Sequence, residues 1–348
     1  MEELTRLAQA SIVHPVFALH WARQLEASVD SLIPLRGGIN NQVFSCSDRN
    51  HQSKRYVIKG YAPKGSSDRM AAEVQFLRYA KLVAPLYVPS LLVEDEERRC
   101  IVLEYLDGDP YPAGISPSEQ DILEAGKFFY LLNADQLFAK QHIKQSAAEG
   151  FLSLTEHLGN VSRRLNQLSA AHLPVELRPN ANALVQQIYQ QLETVSNDTK
   201  TLIEKDLIQD QIRIDDCCVS PSDFGFHNAF RTADGVKFFD FEFAGWDDPA
   251  KLMVDFMLQP RMPVAPSLTN TFYRSVIPFC GDKLGDRTVV LGPILRLKWL
   301  CIMLSVLRPE RLREMEAVTQ GPMSQNYVKQ RLEEAQAYIQ KEFSYGLY

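Results

Sequence analysis

The pattern of apolar and polar positions changes character about a third of the way along the chain. Up to residue 106 the apolar runs are short and β-rich. The stretch SLIPLRGGINNQVFSCS holds two such runs around a Gly pair, which predicts strand, turn and strand. RYVIKGY is another short strand run, and SLLVEDEERRCIVLEYL is two runs joined by a charged turn, a hairpin pattern. Among them SSDRMAAEVQFLRYAKLV has helical periodicity, with Ser or Asp placed to cap its start. After DGDPYPAG the period lengthens. SEQDILEAGKFFYLLNA, AAEGFLSLTEHLGNVSRRLNQLSA and NALVQQIYQQLETVSNDTKTLIEKD all read as helices, as does the C-terminal third. The boundary falls near residues 106–112, at the Gly and Pro cluster.

The predicted organisation is therefore α+β. A small unit of residues 1–106 carries an N-terminal helix, an antiparallel sheet and one helix. A mostly helical unit follows over residues 107–348. A cleft between two such units is a natural ligand site. In the helical unit the exception is QIRIDDCCVSPSDFGFHNAFRTADGVKFFDFEFAGWDDP, where short apolar runs flank a loop and TADG reads as a hairpin turn.

Length and charge narrow the possibilities. With 348 residues there is ample chain for a core, and 45% apolar with 23% charged residues is ordinary for a globular protein. The net charge of −6 argues against a nucleic-acid binder dominated by phosphate contacts. The six cysteines show no CxxC pair, so they read as buried free thiols in a reducing, cytoplasmic setting. The N-terminus lacks a basic start and a long apolar run, so no signal peptide is expected. LGPILRLKWLCIMLSVL is interrupted by Arg296 and Lys298 and reads as a buried helix, with no membrane association expected.

The chemistry concentrates at residues whose order suits phosphoryl transfer, which needs a carboxylate for the nucleophile, metal ions on the phosphates and cationic support. Asp223 and Asn228 stand five apart in SPSDFGFHNAF. Asp223 suits the attacking hydroxyl's proton, and the Asn228 amide oxygen suits a metal. About a dozen residues on, Asp240 ends an apolar run in FFDFEFAG, a hard oxygen donor suited to Mg²⁺. Lys59 ends a strand and Glu73 lies on the next helix, positions for a phosphate contact and an orienting ion pair. Gly37 and Gly38 would let backbone amides approach phosphate, or serve only as a turn. No GxxxxGK[ST] loop occurs anywhere in the chain. Glu242, Trp246 and Asp247 beside the metal candidate read either as acceptor contacts or as packing. Asp247 or Asp248 can cap a helix that has Pro249 at its first position. Asp255 reads equally as a brace for the loop or as an ordinary helix residue, and His227 as structural or as a phosphate contact.

In this order the motifs resemble the aminoglycoside phosphotransferase and choline kinase family, small-molecule relatives of the protein kinases. The resemblance spans roughly residues 31–260, through LRGGINNQVF, VIKGY, AAEVQFL, LEYLDG, SDFGFHN and FFDFEFAGWDDP. DFEFAG is especially similar to the corresponding run of choline and ethanolamine kinases. The resemblance implies a two-lobed protein-kinase-like fold. It implies that Gly37, Gly38 and Asn41 cover the phosphates and that Lys59 pairs with Glu73. It also implies that the segment from Leu103 through Glu104 to Leu106 is the hinge that receives a purine. Asp223 would be the catalytic residue, with Asn228 and Asp240 as Mg²⁺ ligands. ATP is the implied donor, with GTP as an option, and the acceptor is a hydroxyl of a sugar, amino sugar or amino alcohol. The protein would act as a monomer or homodimer. The chain departs from the family at Pro221 and Ser222, where the family writes His and Gly before the Asp. That departure motivates a rival reading, a nucleotide-binding pseudokinase that regulates without turnover.

Overall fold

The computed structural model describes residues 15–35, 41–51, 53–63, 68–280, 284–319, 324–341 and 343. Its N-terminal part is one antiparallel five-stranded sheet. The strands are β1 (Ile33–Pro34), β2 (Asn41–Ser47), β3 (Arg55–Tyr61), β4 (Leu91–Asp95) and β5 (Cys100–Glu104), in spatial order β1-β2-β3-β5-β4. Side chains alternate across such a sheet. Tyr56 and Ile58 of β3 therefore join Phe44, Cys46 and Val102 on one face, where α1 (Val16–Gln24) packs through Ala18 and Ala22. Gly60 makes that docking possible, because a Cβ there would meet the Phe17 ring at 2.3 Å. Val57, Lys59 and Tyr61 point to the opposite face, towards α2 (Arg69–Val83). Asp68 caps α2 by accepting from the Ala71 amide, one of the two residue types the sequence offers there.

The remainder is mainly helical: α3 (Glu119–Asn133), α4 (Gln136–His142), α5 (Leu154–Leu165) and α6 (Arg178–Glu204), then α7 (Pro249–Leu258), α8 (Thr269–Cys280), α9 (Leu284–Met303), α10 (Pro309–Thr319) and α11 (Gln325–Gln340). The segment between α6 and α7 contributes to two small antiparallel sheets, one of which is completed by a strand that precedes α3. One pairs β7 (Cys218–Ser220) with β10 (Gly245–Asp247). The other is β6 (Gly108–Pro110), β8 (Ala229–Thr232) and β9 (Gly235–Phe238). The TADG turn joins β8 to β9, with Gly235 at φ 110°, backbone that favours glycine.

Two departures from the sequence pattern bear on the site. AAEGFLS, residues 147–153, is not helical. Ser153 caps α5 by accepting from the Glu156 amide, and residues 147–150 form a loop tied to β10 and its approach. The short α4, capped by Asp135, is an element the apolar pattern leaves unmarked. The segment Leu284–Leu307 is long and apolar enough to cross a bilayer, yet it packs against α5, α6, α7 and α11.

Candidate active site

The site is assembled from both parts of the molecule. β3 carries Lys59 mid-sheet, opposite Val43 on β2 and Ile101 on β5. Its ammonium donates to Glu73 of α2 at 2.6 Å and to Asp240 at 2.5 Å. Glu73 is 1% exposed and also accepts from the Tyr61 hydroxyl at 2.7 Å. Burial alone lowers a lysine pKa. Here the Glu73 and Asp240 carboxylates outweigh it and hold the ammonium above its ordinary value.

β7 delivers the loop that holds Asp223. Asn133 at the end of α3 grips the strand from both sides, accepting from Val219 N at 2.7 Å and donating to Val219 O at 3.0 Å. Ser222 then turns the chain at φ 68°, a left-handed state that costs a non-glycine residue about 1–3 kcal/mol. Its amide donates to Ser220 Oγ at 2.9 Å. That backbone state explains a Gly in the family's pattern at this position, and here serine bears the strain.

His227 stands beside Asp223 from the far side of the loop. Its Nε2 lies 3.0 Å from Asp223 Oδ1, and its side chain is 6% exposed. A carboxylate only accepts, so Nε2 carries the proton. Nδ1 is buried and has no partner among the described residues. Asn228 donates its amide to the Asp223 carbonyl at 3.0 Å, which leaves its amide oxygen facing away from that bond. Burial raises the Asp223 pKa, but the His227 hydrogen bond and the His227 and Lys298 charges outweigh it, so the carboxyl sits below its usual value. Asp223 and Asp240 keep 37% and 33% of their side-chain surface, so both carboxylates open to the cleft. Asp240 is itself left-handed, at φ 67°. The oxygen-only donors of Asp240 and Asn228 fit Mg²⁺, which keeps open positions for phosphate. Among the described residues no three His, Cys, Asp or Glu side chains form a metal site by themselves.

Other residues singled out by the sequence occupy different surroundings. Gly37 and Gly38 lie outside the described residues. Asn41 donates to Glu242 at 2.5 Å, and its Oδ1 is buried without a partner among the described residues. Glu242 is 3% exposed and also faces Arg69 of α2 at 3.8 Å. Burial and the Asp240 charge push its carboxyl up. It thus ties β2 and α2 to the Asp240 loop. Asp247 is fully buried against Lys251 at 2.6 Å. The Trp246 indole donates to the Ile143 carbonyl at 2.9 Å. Asp248 is the α7 cap, accepting from Ala250 N at 2.8 Å, and pairs with Arg287 at 2.6 Å. Asp255 binds Lys298 at 2.5 and 2.7 Å. Glu104 accepts from the Ser90 amide at 3.1 Å and hydroxyl at 2.8 Å. The β3–β5 ladder ends there, so the backbone of Tyr105 and half-buried Leu106 lies outside it.

Several residues escape sequence reading. The Asn133 grip, the His227 contact and the strained Glu149 (φ 55°) have no periodic signature. The buried Lys251 does have one, since Asp255 lies one turn on along α7 and Asp247, at the end of β10, lies four positions before it.

Comparison with known proteins points to one enzyme family and one fold. Residues 31–251 fit the model of a phosphotransferase enzyme family, APH. Among curated proteins no sequence matches. A spectinomycin phosphotransferase solved with ADP and spectinomycin superposes with a TM-score of 0.61 at 14% identity, covering 94% of this chain and 100% of that one. The choline kinase of Cryptosporidium parvum Iowa II gives 0.58 at 12% identity, covering 92% and 94%. A type I macrolide 2′-phosphotransferase gives 0.55 at 13% identity, covering 90% and 100%. At these identities the structures establish a shared two-lobed kinase-like fold. The family match covers well over half of the chain, and the chain belongs to this phosphotransferase family, whose members phosphorylate alcohol groups.

Proposed function

We propose that the protein transfers the γ-phosphoryl group of ATP to a hydroxyl of a sugar, amino sugar or amino alcohol. The observation that carries this reading is that Lys59 bridges Glu73 and Asp240, while the Phe239 amide donates to the Asn228 carbonyl at 3.0 Å and so holds the Asp240 segment beside the Asp223 loop. Lys59 is held by Glu73 at the place where donor phosphates would approach Asp240. Asp240 and the Asn228 amide oxygen would hold Mg²⁺. Held there, Mg²⁺ would supply charge neutralisation at the donor phosphates. His227 holds Oδ1 of Asp223, and Oδ2, which the Asn228 amide approaches at 3.4 Å, would orient the acceptor hydroxyl and take its proton. The purine would meet the backbone around Glu104 and Leu106, a contact that admits ATP and in principle GTP. Asn41 would cover the phosphates once released from Glu242.

The test is incubation with γ- or α-labelled ATP, Mg²⁺ and a panel of sugars, amino sugars and amino alcohols. Label from the γ position alone appears in acceptor product, and chelation of Mg²⁺ abolishes it. Transfer of the α label would refute the reaction class. ATP-stimulated melting shifts without any turnover would favour a regulator instead.

A further inference from the structure

Helices α6 and α9 pack on one another, yet they part over one stretch and leave a cavity of about 480 Å³. That volume lies within the range of small-molecule sites, roughly 300–1,000 Å³. The α6 wall is Gln187, Gln190, Gln191 and Thr194, spaced as one helical face, and Pro293 and Arg296 stand on the α9 wall. None of the residues assigned to phosphoryl transfer lines it.

A helix face turned to a neighbour is ordinarily apolar, as Leu184, Ile188 and Leu192 of α6 are. Beside that stripe, half-buried Gln187 and Gln191 present amides to the gap, and each amide both donates and accepts. Thr194 donates its hydroxyl proton to the Gln190 carbonyl at 3.1 Å, which leaves its oxygen to accept. Across the gap, Pro293 sits inside α9. It has no N–H, so the Val289 carbonyl one turn earlier loses its helical donor.

Arg296 sets the charge. Its Nη2 donates to the Tyr338, Ile339 and Lys341 carbonyls at 3.1, 2.8 and 2.6 Å, at the C-terminal end of α11. Its Nε is buried with no partner. Among the described residues no carboxylate pairs with Arg296 or lines the cavity. Arg287 on the same helix is held by Asp248 at 2.6 Å. Carbonyls satisfy N–H groups but do not neutralise a guanidinium, and a buried donor without a partner calls for one. A guanidinium matches an oxyanion in geometry as well as in charge.

We infer that the cavity between α6 and α9 is a second ligand site and that it takes a small hydroxylated oxyanion, a sugar phosphate or a sugar acid. Arg296 receives the anionic end, and Gln187, Gln191 and Thr194 receive hydroxyls. The site stands apart from the catalytic residues and does not rest on the kinase reading.

The experiment is calorimetric titration of the full chain, with ADP and Mg²⁺ present so that the nucleotide site is occupied. Probes are glucose 6-phosphate, ribose 5-phosphate, gluconate, glucose and inorganic phosphate. Wild type is expected to bind at least one of the three sugar anions with a Kd of about 1 mM or tighter. That affinity should exceed those for glucose and for inorganic phosphate by about tenfold, and the anions bound tell a phosphate end from a carboxylate end. Arg296→Gln is expected to weaken the bound anion by at least about tenfold, the loss of one charge-assisted contact, and Gln191→Ala by about threefold. ADP affinity should be unchanged in both. Gln191→Ala leaves the α11 carbonyl contacts intact, so it decides alone if Arg296→Gln does not fold. Three results overturn the inference: binding of none of the sugar anions, inorganic phosphate bound as tightly as the best of them, or anion affinity unchanged in the folded variants.

Discussion

Replacing Lys59 by Met isolates the ion pair at the heart of the cleft. Lys59 is 5% exposed and Glu73 1%, and their contact is 2.6 Å. Lys59→Met leaves Glu73 ionised in the interior with the Tyr61 hydroxyl as its recorded donor. Breaking one side of a buried pair costs about 3–5 kcal/mol, because the remaining charge has lost its counter-ion. Unfolding entropy scales at roughly 2.1 cal/mol/K per residue, so that loss lowers Tm by about 4–7 °C in a chain of 348 residues. Glu73→Gln removes the stranded charge, so Lys59→Met/Glu73→Gln should lose less than the sum of the single changes, by about 1–3 kcal/mol. Calorimetry and urea titration of the four proteins measure the cycle. A Tm drop under about 1 °C for Lys59→Met, or strict additivity, would refute a desolvated, mutually dependent pair.

Other perturbations test separate parts of the account. ATP with Mg²⁺ at a hundred times its Kd should stabilise the protein by about 2.7 kcal/mol, and Asp240→Asn should remove the Mg²⁺-dependent share of the melting shift. His227→Phe should lower kcat by about ten- to hundredfold through loss of one hydrogen bond to a charged group, with KM for ATP little changed; a change in KM alone would contradict the contact's role. Ser222→Gly should relieve left-handed strain and raise Tm, whereas Ser222→Val should lower it. Glu149 has a folded pKa below its ordinary 4.5, so its stabilising contribution is complete above that value and lost as pH falls through the folded pKa. The stability advantage of wild type over Glu149→Gln should accordingly be present at pH 7 and vanish in acid, as read from urea midpoints across that range.

The sheet and most of the long helices were legible because their signals are local and repeated. Alternation marks β3 and the β4–β5 hairpin, the 3.6 period marks α2 and α3, and Asp248 before Pro249 marks the start of α7. The linear order of Lys59, Glu73, Asp223, Asn228 and Asp240 was legible too, because each follows a recognisable strand or loop. What the sequence could not supply was which side chains meet across the fold. Asp247 and Glu242 looked alike as acidic residues beside the metal candidate. Lys251 closes over one, while Asn41 and Arg69 hold the other. Pro221 and Ser222 looked like a lost brace. The support comes instead from His227 and from the Asn133 grip on β7, eighty-six residues away in sequence. Glu149 carried no signal at all, since positive φ in a glutamate is imposed by the hydrogen bonds around it.

The most direct measurement is acceptor-dependent transfer of the γ-phosphate by wild type and by Asp223→Ala, at saturating ATP and Mg²⁺, on the best acceptor of the panel. Loss of the group that receives the hydroxyl proton should reduce kcat by about 10²–10⁴-fold while the nucleotide-induced melting shift persists. Full activity in Asp223→Ala would contradict the assignment of Asp223 and, with it, the proposed chemistry of the cleft.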